Sequence, residues 1–441
     1  MASIVPKKRK SGISYYIAYR ITGENGKIQQ KWYPCKNKRE ANNLLEEVEE
    51  AENQNREYIR YEPKSYTGET IVPNSMTVEE LVYKYVEHRS KTGKWEARTR
   101  QNSLSYIKNY IVPYIGTTPI ACVTTRFLQE YYNDLPNHKA VPGNHKTPPN
   151  NISARTVREV HKILRPAFSL AIKWGELSLN PANDLELPKI EKFVRKQWTE
   201  NEFVKAVSSC NNKELELIMS IMFACTLRSG ELSGLTWDCI ECSESAISSD
   251  SANVHVKKEL ARLDKSAIQA TNTKIYLTFP CFKADTKSVM VLKKPKTGSS
   301  VRKIYVPSSI AVRLKEHKKS QQDWIQSIGN EYHDFNLVFA QPNGFPYSNN
   351  TLGKHFKKYL REKGIEIVDF YSLRHSGATA KLRATKNVKA VQGDMGSSTP
   401  QMLMNVYAAI VDEDRKNNAK ELENNIFSKM SEKKMDVTDK S

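Results

Sequence analysis

The stretch Tyr371-Ser372-Leu373-Arg374-His375-Ser376-Gly377-Ala378-Thr379 precedes a lone downstream tyrosine, Tyr407, and far upstream stands Thr226-Leu227-Arg228-Ser229-Gly230-Glu231-Leu232. Arg228 and Arg374 each follow a leucine and precede a small or polar residue, near an expected helix. Guanidinium forks match the non-bridging oxygens of a phosphodiester in pairs and stay charged at every relevant pH. Attack at phosphorus concentrates negative charge on those oxygens, so two such arginines meet the demand of a metal-free cut. A tyrosine nucleophile is weak, with a phenol pKa of about 10, and needs cations beside it as it loses its proton. The departing 5′-oxygen needs a proton, which a lysine or histidine can supply. Lys296, in Pro295-Lys296-Thr297-Gly298, is expected at a hairpin turn and able to swing into a groove for this. Each residue taken singly also has a plain structural reading. An arginine near a helix end is more often structural, a turn lysine is usually solvated, and Tyr407 fits a packed helical aromatic beside Val406 and Ile410.

With 441 residues the chain exceeds one ordinary domain, and roughly two to four are expected. Hydrophobic residues make up 39%, enough for real cores. No apolar run reaches the ~18 residues of a membrane span, and no apolar stretch follows the basic Pro6-Lys7-Lys8-Arg9-Lys10, which excludes a secretory signal. Lysine and arginine number 68 against 49 acids, a net charge of +19. That excess points to a polyanion, nucleic acid first; a membrane surface lacks its basic amphipathic helix. The seven cysteines, an odd number scattered along the chain, fit a reducing compartment. Cys239 and Cys242 form one C-x-x-C, but a zinc site would need His255 and Cys281 at irregular spacing, so ordinary thiols are expected.

Residues 1–55 read as a small three-stranded sheet closed by a helix. Ser14–Ile21 alternates as a strand, Gly23-Glu24-Asn25-Gly26 is a hairpin turn, Lys27–Tyr33 returns, and Lys38–Glu52 has helical spacing. The basic sheet suits a major groove, or is simply a solvated charged sheet. Residues 56–74 read as a linker and 75–180 as an all-helical unit. In it, Thr77 with Glu80 caps Val78–Arg89; Ala97–Ile111 stops near Pro113; Thr125–Asn133 follows; Ser153–Trp174 is a fourth helix, kinked at Pro166. Arg155, Arg158, Lys162 and Arg165 on that last helix either track a phosphate backbone or form a solvated face. Residues 181–197 read as a second linker, 198–430 as a mixed α+β, mainly helical unit, and 431–441 as a polar tail. Thr199 with Glu202 caps its first helix, Leu215–Cys225 is an apolar helix, and Thr273–Phe279, Lys287–Leu292 and Val301–Pro307 are strands. Helices are expected at Ser308–Ser327, Asn349–Glu362 and Asn418–Phe427, and residues 243–272 resist assignment.

Taken in order, Thr226-Leu227-Arg228-Ser229-Gly230-Glu231-Leu232, then Pro295-Lys296-Thr297, then Ser372-Leu373-Arg374-His375, then Val391-Gln392-Gly393-Asp394-Met395-Gly396 and Tyr407 resemble the boxes of the tyrosine recombinase (phage integrase) family. The layout is similar to integrases of conjugative transposons and phages of Gram-positive bacteria, over nearly the whole chain. No single box is specific; the ordered set is. The resemblance implies an arm-type DNA-binding domain, a core-binding domain and a catalytic domain for the three units. It implies that Arg228 and Arg374 clamp the scissile phosphate, Lys296 is the general acid, Glu231 supports the site, and Tyr407 forms a 3′-phosphotyrosine. Two positions depart from the pattern: the family's histidines stand here as Tyr371 and Ser397. Both can still donate a hydrogen bond, but neither carries imidazolium charge. No metal or other cofactor is implied, because the covalent ester conserves the bond energy.

The implied partners are double-stranded DNA attachment sites, core and arm, with a homotetramer assembled on them through a Holliday junction. An excisionase and a host DNA-bending protein fit as accessories, and the expected location is the cytoplasm, at the nucleoid. The apolar stripe Ala419, Leu422 and Ile426 either docks on a neighbouring protomer or packs on its own core. Two other readings compete. One is a degenerate recombinase that binds DNA without cutting it; the other is a type IB topoisomerase, against which the arm-like N-terminus argues.

Overall fold

The computed structural model of the chain describes residues 2–9, 12–22, 28–35, 38–53, 76–141, 150–190, 196–281, 285–295, 298–396, 403–404, 415–416 and 418–427. Two compact units emerge, residues 1–192 with 270–272, and residues 193–269 with 273–441. Among the described residues no helix is long and apolar enough to cross a membrane, and no group of three His, Cys, Asp or Glu side chains is placed to hold a metal ion.

In the first unit β1 (Ser3–Arg9), β2 (Gly12–Thr22) and β3 (Ile28–Cys35) form an antiparallel sheet in that order. α1 (Lys38–Asn53) covers one face. Alternation decides which one: Ile17 and Tyr19 of β2 are buried with Ala41, Leu44 and Val48 of α1. The opposite face carries Tyr16 and Trp32 edge to face, with the Lys7 ammonium 4.1 Å from the Trp32 ring centre. The expected turn over residues 23–26 and the linker over 56–74 lie outside the described residues.

The helical part of this unit follows its caps. Thr77 and Glu80 close a reciprocal capping box at the head of α2 (Val78–Lys91). α3 (Ala97–Tyr106) does not end near Pro113 as expected. It widens into a π-helical turn over Ile107–Ile111 and continues as α4 (Val112–Ile115). The wide turn shifts the ladder, so Pro113 falls in the first turn of the new segment, where its missing N–H leaves no bond broken. α5 (Thr125–Asp134) and α6 (Ala154–Lys173) complete the bundle, and α6 runs through Pro166. Its inward face, Val157, Val160, Leu164 and Phe168, meets Leu81, Ile107 and Leu128 in the core. On its other face Arg158 donates to the Pro188 carbonyl and Lys162 pairs with Glu159, while Arg155 and Arg165 are exposed.

The second unit opens with α7 (Glu200–Ser208), held by the capping box of Thr199 and Glu202, and α8 (Lys213–Ala224), capped by Asn212. The short α9 (Ser229–Ser233) follows at once. Next come β4 (Ile240–Glu241), α10 (Glu244–Ser248), β5 (Asn253–Val256), β6 (Glu259–Asp264) and α11 (Lys265–Gln269). This last run fills residues 243–272, for which the sequence pattern offered nothing. β6 buries Leu260 and Leu263, three apart, rather than alternate residues, so period-two reading misses it; its register comes from its partner strand.

β7 (Ile275–Thr278), β8 (Ser288–Lys293) and β9 (Arg302–Tyr305) fall where expected. One sheet has the order β6-β8-β7 and the other β4-β5-β9, all antiparallel. β8 is flanked on both sides by β6 and β7, and β9 belongs to the other sheet; the turn expected at Lys296 lies outside the described residues. α12 (Ser308–Ile328), α13 (Asn349–Glu362), α14 (Ser372–Thr385) and α15 (Val388–Met395) complete the unit. Residues 418–427 are helical, with Leu422 and Ile426 half-exposed.

α8 lies against α14 so closely that a Cβ on Gly377 would stand 2.0 Å from the Phe223 carbonyl oxygen. This contact sets Arg374 relative to the loop after α8. Gly377→Ala is expected to destabilise the unit by about 1–3 kcal/mol through overpacking. Urea unfolding of the full chain checks it; unchanged stability would mean that the two helices are not pressed together at this point.

Candidate active site

Three segments distant in sequence converge. The first is the turn after α8, where Cys225 caps the helix and Thr226 takes φ of 48°. A threonine in the left-handed region is strained by roughly 1–2 kcal/mol. The turn points the Thr226 carbonyl at Arg374, whose Nη1 donates to it at 2.6 Å. Arg228 then sits at the head of α9, its backbone N–H donating to Glu231 Oε2 at 2.8 Å and its Nη1 to Glu231 Oε1 at 2.6 Å.

The second segment is β9. Arg302 is in phase with buried Ile304 and Val306, so its guanidinium points inward. It meets Glu231 as a two-pronged fork, Nη1 to Oε1 at 3.0 Å and Nη2 to Oε2 at 2.9 Å. Arg302 Nη1 also donates to the Ser300 carbonyl, and Arg228 Nη1 reaches the Ser300 hydroxyl at 3.3 Å.

The third segment is the C-terminal end of α15. Its last carbonyls have no helical partner and carry the negative end of the helix dipole. Asp394 O accepts from Arg302 Nε at 2.5 Å, Met395 O from Arg374 Nη2 at 2.7 Å, and Gly396 O from Arg228 Nη2 at 2.7 Å. Three consecutive carbonyls thus receive three different guanidiniums. Gly396 takes φ of 59°, and a Cβ there would stand 2.8 Å from Ser299 O, so glycine is required.

Burial sets the electrostatics. Arg374 is 2% exposed. Its pKa is pushed down to about 10, by burial first and by the Arg228 and Arg302 cations, against the pull of Tyr371 and Glu231. It is still charged at neutral pH. Its Nε is buried with no partner among the described residues. Glu231 is 1% exposed. Burial pulls its carboxyl upward, but the Arg302 fork and then the Arg228 N–H and charge outweigh it and hold the group below the ordinary carboxylate range. Cys225, beside them, has its thiol pushed up to about 12 by burial and is inert at neutral pH.

Of the residues expected in the site, Arg228, Glu231 and Arg374 are brought together. Tyr371 precedes α14, and its ring packs edge-on against His375 one turn later, centroids 5.0 Å apart. Lys296, Ser397 and Tyr407 lie outside the described residues. Arg302 and the carbonyls of residues 394–396 were not anticipated. For Arg302 a signal existed: a cation in phase with Ile304 and Val306 must be buried, and a buried cation needs a partner. For the carbonyls, no side-chain pattern could report them.

Residues 196–414 match the family model described as the phage integrase family, and residues 77–135 match that of the phage integrase N-terminal SAM-like domain. A tyrosine recombinase XerC-like protein of Caldanaerobacter subterraneus is 25% identical over 433 residues, covering 95% of this chain and 98% of that protein. Among solved structures, the Tn1549 transposon integrase in complex with transposon right end DNA is 19% identical, with a TM-score of 0.59 over 78% of this chain and 100% of the other. A lambda integrase tetramer bound to a Holliday junction is 16% identical, with a TM-score of 0.50 over 91% and 94%. These likenesses establish the fold.

Glu231 gives the site an acid limit. With its folded pKa depressed, its contribution to stability is present above the unfolded carboxylate value of about 4.3 and is lost as pH falls through the folded value. Glu231→Gln is expected to cost about 3–5 kcal/mol at pH 7, because the buried Arg302 and the partly exposed Arg228 lose their carboxylate, and to flatten the acid side of the stability profile. Urea unfolding between pH 3 and 7 checks both; identical acid slopes in the two proteins would contradict the buried pairing.

Proposed function

This chain belongs to the phage integrase family of tyrosine recombinases, and we propose that the buried guanidinium cluster is where it cuts and rejoins DNA. It is a site-specific recombinase of a mobile element, working in integration and excision through a 3′-phosphotyrosine. The observation that carries the assignment of the site is the convergence of Arg228 and Arg374 on the end of α15, directly ahead of the segment that carries Ser397 and Tyr407.

In this reading Arg228 and Arg374 clamp the scissile phosphate. Of five N–H donors each, Arg228 directs three to protein partners and Arg374 two among the described residues. The remainder, including the buried Arg374 Nε, are available to non-bridging oxygens. Tyr407 attacks phosphorus, Lys296 protonates the leaving 5′-oxygen, and Glu231 fixes Arg228. Tyr371 and Ser397 stand where the family has histidines and offer hydroxyls to the phosphate. The same steps in reverse religate the strand without external energy.

Residues 1–55 are assigned to arm-type DNA, 75–180 to the core site and 198–430 to catalysis, joined by linkers at 56–74 and 181–197. The partner is double-stranded DNA, with a homotetramer exchanging strands; an excisionase and a host DNA-bending protein are assigned as accessories. The half-exposed Leu422 and Ile426 favour docking of the last helix on a neighbouring protomer.

A suicide substrate nicked beside the cleavage site tests the chemistry. The wild type is expected to leave a denaturation-resistant protein–DNA adduct, and Tyr407→Phe none. Arg228→Ala or Arg374→Ala should slow adduct formation by about 10²–10³-fold, and Ser397→His should speed it. DNA binding without any adduct from the wild type sinks the assignment and leaves a chain that only binds.

The sheet face bearing Lys7, Tyr16 and Trp32 supports arm-site binding. Deleting residues 1–55 is expected to abolish retention of arm-site duplex in gel shifts while core-site binding, falling steeply with salt, persists. Unchanged arm-site retention would remove this role.

A further inference from the structure

Arg302 is a third arginine in the site, yet it differs from the other two in where its donors go. Four hydrogen bonds leave its guanidinium, and all end on protein: two on Glu231, one on Ser300 O and one on Asp394 O. It is buried at the floor of the cluster. A guanidinium has five donors, so little of it remains for a ligand. Phosphate recognition therefore falls to Arg228 and Arg374.

Charge explains what Arg302 does instead. Three guanidiniums and one carboxylate leave a net +2 in the cluster, which suits a phosphoryl group gaining negative charge during attack. Glu231 is the only carboxylate among those partners, and its oxygens are contested. Arg228 Nη1 lies 2.6 Å from Oε1, and Arg374 Nη1 lies 3.9 Å from Oε2, just beyond hydrogen-bond reach. The Arg302 fork occupies both oxygens and keeps Arg374 outside. Arg302 Nε also ties the same end of α15 that registers the other two guanidiniums.

We infer that Arg302 is a positioning residue for strand cleavage: by holding Glu231 and the end of α15, it keeps N–H groups of Arg228 and Arg374 available for the scissile phosphate. This rests on the reading of the cluster as the cleavage site. Without Arg302 the buried carboxylate, left with only Arg228 to balance it, would draw in the Arg374 guanidinium that already lies 3.9 Å away, since an uncompensated buried charge is costly. Lysine would not replace it, because an ammonium cannot make the fork.

The test compares single-turnover cleavage of a nicked core-site substrate with the dissociation constant for uncut core duplex, using the full chain. Arg302→Met and Arg302→Lys are expected to slow adduct formation by on the order of 10²-fold and ~10-fold, with the dissociation constant moved less than about threefold. Adding Glu231→Gln to Arg302→Met removes the uncompensated carboxylate and is expected to recover about tenfold of the rate. A residue that merely supports the fold would lower cleavage and binding together, and the second substitution would not restore the rate. If Arg302→Met fails to fold, the rate loss in Arg302→Lys at unchanged binding decides. Wild-type rates in both variants, or no recovery in the double variant, overturn the inference. A wild type that forms no adduct fails the reading of the site instead, and is distinguishable by that.

Discussion

The end of helix α15 is the constraint on which the second unit depends. Three consecutive carbonyls, of Asp394, Met395 and Gly396, have no helical donor to meet, and each accepts a guanidinium from a different part of the chain. Unpaired buried carbonyls and unpaired buried guanidiniums are both costly. Their mutual satisfaction ties the turn after α8, the strand β9 and the end of α15 to one another. Glu231 closes the arrangement from the other side. It takes the backbone and guanidinium of Arg228 and the fork of Arg302 with a single carboxylate.

Such a cluster is stable only when complete, since the loss of one charge leaves the others buried without compensation. That explains why strain is tolerated around it. Thr226 holds a left-handed backbone to aim its carbonyl at Arg374, and Gly396 is pressed against Ser299 and Arg302 where no side chain fits. The cleavage chemistry proposed for the cluster would benefit from the same rigidity. Donors already fixed before substrate arrives need not reorganise while charge builds on phosphorus, which is where electrostatic catalysis gains most.

Much of the scaffold was legible in advance because it rests on local rules. Thr77 with Glu80 and Thr199 with Glu202 announce helix starts by a pattern four residues long, and both boxes form. The alternation of Ser14–Ile21 reads as a strand, and β2 forms there. The misreadings have non-local causes. Pro113 looks like a helix stop, but the π-helical turn before it moves it to a first-turn position. Residues 243–272 contain two short strands whose register is set by partners far along the chain.

The sequence by itself determined the family, the order of its boxes and the identities of Arg228, Glu231 and Arg374, because guanidinium and carboxylate chemistry is written in residue types. Only the tertiary structure decided that Arg302 joins them and that backbone carbonyls hold all three arginines. A carbonyl is present at every residue and carries no sequence signal. Whether it is spare depends on where a helix ends, and whether a guanidinium reaches it depends on how β9 and α14 pack against that end.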